Sequence, residues 1–180
     1  MSDELQEKHL AALGARFVAG IEARAAGKVD QALEIFHEIL KAEPRLAEPR
    51  LEIGRVFLEM GRLDDAEAEV REALRILETG GQWTEDLPET VVLALGWALL
   101  GEILKEKAST DEVVFGDPEV FAGLVEESRL AFARAAQLDP SDTSSFLNAK
   151  ELEEPRAREK AELTDDLTDD AAEGDEGSEE

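Results

Sequence analysis

The sequence predicts an all-α chain, a stacked α-solenoid of antiparallel helix hairpins, and three observations carry that expectation. The stretch "GKVDQALEIFHEIL" (Gly27 to Leu40) returns 34 residues later as "GRLDDAEAEVREAL" (Gly61 to Leu74). Both run Gly, basic, Val or Leu, Asp, with Ala at the sixth place, and both close on Glu-x-Leu. A fixed step of that length is what stacked helical hairpins write into a sequence. Second, Ala, Leu, Glu and Arg are plentiful while aromatics make up 5%, a palette that favours helices over strands. Third, Ala32, Ile35, Phe36, Ile39 and Leu40 fall at i, i+3, i+4, i+7 and i+8, one face of a helix.

Taken in order, Ser2 is placed to cap a first helix from Asp3 to about Ala26, stopped by Gly27. A second helix starts near Asp30 and ends before Pro44. A third runs from Pro49 to Met60 and breaks at Gly61, and a fourth from about Asp64 to Leu77. After "ETGGQWTEDLP" a long helix is expected over Glu89 to Lys107. The linker "ASTDEVVFGD" then leads to Asp117-Pro118, an N-cap followed by Pro at the first helical position, and a helix to Leu138. The segment before Pro155 suits one capping helix, with a frayed one after it. From Glu151 onward 14 acidic residues face three basic ones, too little apolar content to order a chain, so 151–180 reads as an acidic, largely disordered tail. Residues 1–150 form the helical-repeat domain.

These residues resemble the tetratricopeptide repeat family. Placed on its consensus, a first repeat (about 13–46) puts Ala19, Gly20 and Ala23 in its first helix and Ala32, Phe36 and Ile39 in its second. A second repeat (47–80) supplies Ile53, Gly54 and Phe57, then Ala66, Val70 and Ala73. A third (94–140) is split by an insertion: Trp97, Leu100, Gly101 and Leu104 precede it, and Ser128, Phe132, Ala135 and Pro140 follow it. The resemblance implies a right-handed superhelix in which small residues let paired helices approach closely. The chain departs from the pattern at Arg16, Arg50 and Glu78, and by insertions at 79–93 and 108–123 that leave the stacking angle of the third repeat open.

No enzymatic chemistry emerges. The formal net charge is −25, which disfavours direct nucleic-acid binding. Cysteine is absent, and neither His9 nor His37 has a second ligand at i+4, so no metal site is expected. No phosphate-binding Gly loop, nucleophile elbow or HExxH occurs, so no cofactor is expected either. No leader or apolar span stands out, and the expectation is a cytoplasmic protein without membrane contact.

What remains is surface. The resemblance implies a concave groove along the first helix of each repeat, lined here by Phe17, Ile21, Arg24, Glu48, Leu51, Arg55, Leu58, Leu95, Ala98, Glu102 and Lys105. Such a groove would take a peptide or helix of another protein with apolar anchors and one acidic group; the alternative is that the chain's own terminal helix covers Phe17, Ile21 and Leu51. The clamp by which co-chaperones of the family hold a terminal carboxylate is not matched, since its positions carry Phe17, Ile21, Glu52, Leu95 and Leu99. Val113, Val114 and Phe115 are expected to pack back on the long hairpin rather than dock a partner, and Trp83 likewise. The acidic tail either solubilises, binds a basic protein or folds onto Arg24, Arg55 and Lys105. The functional expectation is a non-enzymatic adaptor. A small acidic chaperone for a secreted or aggregation-prone client, similar to bacterial secretion chaperones, and a tail-mediated binder of a basic protein are the alternatives. A homodimer through an exposed solenoid end stays open.

Overall fold

A computed structural model describes residues 3–81 and 87–153. The Ser2 cap, Trp83, the helix expected after Pro155 and nearly all of the acidic tail lie outside the described residues. The described elements are α1 (Asp3–Ala25), α2 (Val29–Ala42), α3 (Glu48–Glu59), α4 (Leu63–Glu78), α5 (Glu89–Ala108), α6 (Asp111–Val114) and α7 (Pro118–Leu138). A further helix, α8, covers residues 143–153. Among the described residues there is no strand.

The first two turns are built alike. Gly27 and Gly61 adopt φ of 72° and 70°, a left-handed conformation that glycine enters without a Cβ penalty. Each closes its helix in the same way. Lys28 N–H donates to the Ala23 carbonyl and Gly27 N–H to that of Arg24, both at 2.9 Å. Arg62 and Gly61 do the same to Phe57 and Leu58, at 2.8 and 2.9 Å. This paired closure satisfies carbonyls that a helix end leaves without partners. The next residue starts the returning helix at once, so α1 pairs with α2 and α3 with α4.

The third hairpin pairs α5 with α7. α5 is apolar nearly all round, and Val92, Leu99, Leu100, Ile103 and Leu104 are buried on it, as befits a helix enclosed by α3, α4 and α7. α7 begins where Asp117-Pro118 predicts, and the Asp117 carboxylate accepts from Glu119 N–H at 2.8 Å. The linker between them differs from expectation. It holds the one-turn helix α6, and of its apolar tip only Val113 is half-buried, while Val114 is 49% and Phe115 84% exposed. Three of the tip's neighbours in sequence are acidic, and the single turn of α6 covers Val113 in part but leaves Val114 and Phe115 outward.

The core repeats one contact three times. A methyl carbon added to Gly20 would lie 2.5 Å from the Phe36 ring, one on Gly54 2.5 Å from Val70 Cγ2, and one on Gly101 2.9 Å from the Phe132 ring. The glycine of each first helix therefore lets its backbone meet the large side chain of the second. Ala32, Ala66 and Ser128 sit one turn before those side chains, all fully buried. Ser128 Oγ also donates to the Gly101 carbonyl at 2.8 Å. The insertion thus leaves the pairing of the third hairpin intact. Arg16 and Arg50, which depart from the consensus, pair with acids of the second helix: Arg16 with Glu38, and Arg50 with Glu69 at 2.8 Å.

Candidate functional site

The first helices α1, α3 and α5 contact one another in sequence along one side of the stack. This is the face on which the resemblance leads one to expect the groove. α8 joins the row: Lys105 Nζ of α5 donates to Asn148 Oδ1 at 2.9 Å and pairs with Glu151 at 3.2 Å. Asp142 caps α8, accepting from Ser144 and Ser145 N–H at 3.1 Å.

The apolar residues expected on this face fall into three groups. Phe17, Ile21 and Leu58 are half-buried and packed against the core, with the Phe17 and Phe36 ring centroids 5.8 Å apart. Leu95 keeps 47% of its surface open, and Ala98 beside it is half-buried. Leu51 differs. It is 6% exposed, because its side chain closes against Gly96 of α5 together with Leu74 of α4. Leu51 is therefore a seam residue between the second and third hairpins, not an open wall of the face. Glu48, at the start of α3, is also buried.

The charged residues form a bridge across the row. Arg24 of α1 donates from Nε to Glu52 at 3.0 Å and from Nη1 to Glu59 at 2.6 Å, both on α3. Arg55 stands 3.7 Å from the other Glu52 oxygen. Arg24 and Glu52 are 22% and 16% exposed, so this bridge is held more firmly than a solvated surface pair. With Lys105 held by Glu151, all three expected cations are thus already paired by the chain itself, while Glu102 is open to solvent. Sequence reasoning placed the arginines but missed their acids. The signal was available, since Glu52, Arg55 and Glu59 lie three and four residues apart on one helix.

A second charged cluster joins the hairpins on the turn side. Lys107 of α5 donates to Asp64 and Glu67 of α4, each at 2.7 Å, and Arg71 links Glu67 to Glu127 of α7. Burial of Glu67 pushes its carboxyl up, but hydrogen bonds from Lys107 and Arg71 outweigh that and hold it below the ordinary value. Asp64 is likewise lowered by the Lys107 hydrogen bond. For Lys107 burial works downward, and its bonds to Asp64 and Glu67 win, raising it. Elsewhere, Arg45, Arg50 and Arg75 line a cleft with Ile76 and Thr79, where Arg45 donates to the Thr79 carbonyl and so finishes the end of α4.

Neither histidine is arranged for chemistry. His37 Nδ1 lies 2.7 Å from the Leu33 carbonyl, and His9 Nε2 lies 3.5 Å from Glu43. Among the described residues no three His, Asp or Glu side chains converge as metal ligands. No helix of the described residues is long and apolar enough to cross a membrane.

The tetratricopeptide repeat family model matches residues 23–86. No curated protein matches the chain. Solved structures do. The first tetratricopeptide repeat unit of Spaghetti (RPAP3), bound to the HSP90 peptide SRMEEVD, is 12% identical with a TM-score of 0.59, over 81% of this chain and 93% of that one. A thermophilic tetratricopeptide repeat protein of Thermus thermophilus is 20% identical with a TM-score of 0.60, over 84% of this chain and 70% of that one. At these identities the likeness is one of fold.

Proposed function

We propose that this chain, which matches the tetratricopeptide repeat family model over residues 23–86, is a non-enzymatic adaptor that holds a segment of a partner protein along the face of α1, α3 and α5. Repeats of this family generally serve as protein–protein interaction modules without catalytic function. The observation that carries the finer reading is the apolar strip of Ile21, Leu58 and Leu95, left partly open beside the Arg24–Glu52–Arg55 bridge. Apolar anchors with a fixed polar rim suit an extended or helical peptide, since anchors supply affinity and the rim supplies register. That a protein of like fold is known with a peptide bound supports the same reading. The chemistry differs from a carboxylate clamp, because Phe17, Ile21, Glu52, Leu95 and Leu99 stand at the clamp positions. With Arg24 and Arg55 already paired, the preferred segment is apolar and close to neutral at its centre.

The test is a selection of random peptides on the full chain, repeated with the Leu95→Glu/Arg55→Glu variant. Both side chains are at least partly exposed, so the variant should fold. Enrichment of peptides with spaced apolar anchors that the variant no longer holds is the expected result. Equal capture by both proteins would refute the groove reading.

A further inference from the structure

The start of α7 carries more helix than the repeat needs. Ser128 occupies the register of Ala32 and Ala66, yet those residues stand three positions into α2 and α4 while Ser128 stands ten into α7. α7 therefore begins about two turns, or roughly 10 Å, before the point where the other second helices start. The short α6 packs beside this extension. Core packing begins only at Leu124.

Among the described residues, four large apolar side chains on these two adjoining elements stay well open: Val114 is 49% exposed, Phe115 84%, Val120 51% and Phe121 41%. Exposure of that kind on neighbouring elements marks interaction surface, where single scattered residues would not. The rim is acidic. Asp111, Glu112, Asp117 and Glu119 are all exposed, and residues 108–123 hold no Lys, Arg or His after Lys107. Among the described ion pairs none involves these four acids; Asp117 serves the α7 cap.

We propose that this extension, with α6 folded beside it, is a second docking surface, separate from the groove, for a basic amphipathic helix of a partner protein. The occupant follows from charge and shape. An apolar patch spread over two helical elements takes a strip of Leu- or Phe-type side chains, and an acidic rim takes Lys or Arg on either side of that strip. A second copy of this chain, its own acidic terminus and an anionic membrane all bring like charge to the rim, against a net charge of −25.

The probe is a fluorescein-labelled peptide of leucine and lysine at helical spacing, titrated with the full chain and followed by anisotropy. Saturable binding is expected, weakened at least about 10-fold in Phe115→Ser/Phe121→Ser. Asp111→Asn/Glu112→Gln/Glu119→Gln should weaken it about 3- to 10-fold and flatten its salt dependence. Leu95→Glu/Arg55→Glu should leave it unchanged, which separates this surface from the groove. Unfolding curves for each variant that overlay the parent's exclude a folding defect. The proposal is overturned if the Phe115 and Phe121 variant binds like the parent, as it would were the acidic terminus the true site. It is equally overturned if a leucine–glutamate peptide binds as tightly, if the groove variant alone loses binding, or if sedimentation shows a dimer that Phe115→Ser dissolves.

Discussion

In the second hairpin Gly54 of α3 meets Val70 of α4 across the three-residue turn Met60–Gly61–Arg62; in the third, Gly101 of α5 meets Phe132 of α7 across the inserted and extended segment 108–123. The glycine contact is the same, and so is the small buried residue a turn before it, Ala66 in one and Ser128 in the other. Only the connection differs. The comparison teaches that hairpin pairing is fixed by the close approach of two helices, and that the turn is free to acquire a second use. The compact turn at Gly61 exposes nothing apolar but Met60, whereas the long one carries Val114, Phe115, Val120 and Phe121.

The comparison breaks most visibly at the large side chain. Phe132→Ala should cost about 3–5 kcal/mol and Phe36→Ala a similar amount, read from denaturant midpoints at unchanged slope. A Phe132 loss well below that of Phe36 would mean the third hairpin is packed more loosely than the first. Next come the glycines. Gly54→Val and Gly101→Val should each destabilise by about 1–3 kcal/mol through overpacking, against Val70 and Phe132 respectively.

The link between the two hairpins is smaller. Lys107→Met should cost about 0.5–1 kcal/mol at neutral pH, since Lys107 and Glu67 are about one-fifth exposed. Glu67 sits below its ordinary value in the fold, so its contribution is full above about pH 4.5 and is lost as the pH falls through the lowered value. Lys107 is raised, so its contribution is full below about pH 10.4 and is lost as the pH climbs through the raised value. In Lys107→Met the acid-side loss of stability should be shallower; an unchanged acid profile would mean the pair does not bridge the hairpins. The smallest effect is expected at the tip, where Phe115→Ser should change stability by less than about 0.5 kcal/mol, because the ring is almost wholly in water.

Much of the fold was legible from local chemistry. Gly27, Gly61 and Asp117-Pro118 fix helix ends through rules that act within a few residues, and the observed boundaries fall within a residue or two of those expected. The third hairpin was recoverable across its insertion because Gly101 and Phe132 keep the register of Gly20 and Phe36. The face was harder. Leu51 and Leu95 look alike in sequence, yet Leu51 is closed by Gly96 and Leu74 from neighbouring helices while Leu95 stays open. Such burial depends on how repeats stack, which no single helix records. The exposed tip escaped for the same reason, since periodicity shows which side chains are apolar but not whether anything lies opposite them.

The most direct test of the groove account is hydrogen exchange on the full chain with and without a peptide taken from the selection. Slowed exchange concentrated in α1, α3 and α5, with α2 and α4 unchanged, is the predicted result. Protection confined to α6 and the start of α7, or spread over the outer helices, would contradict it.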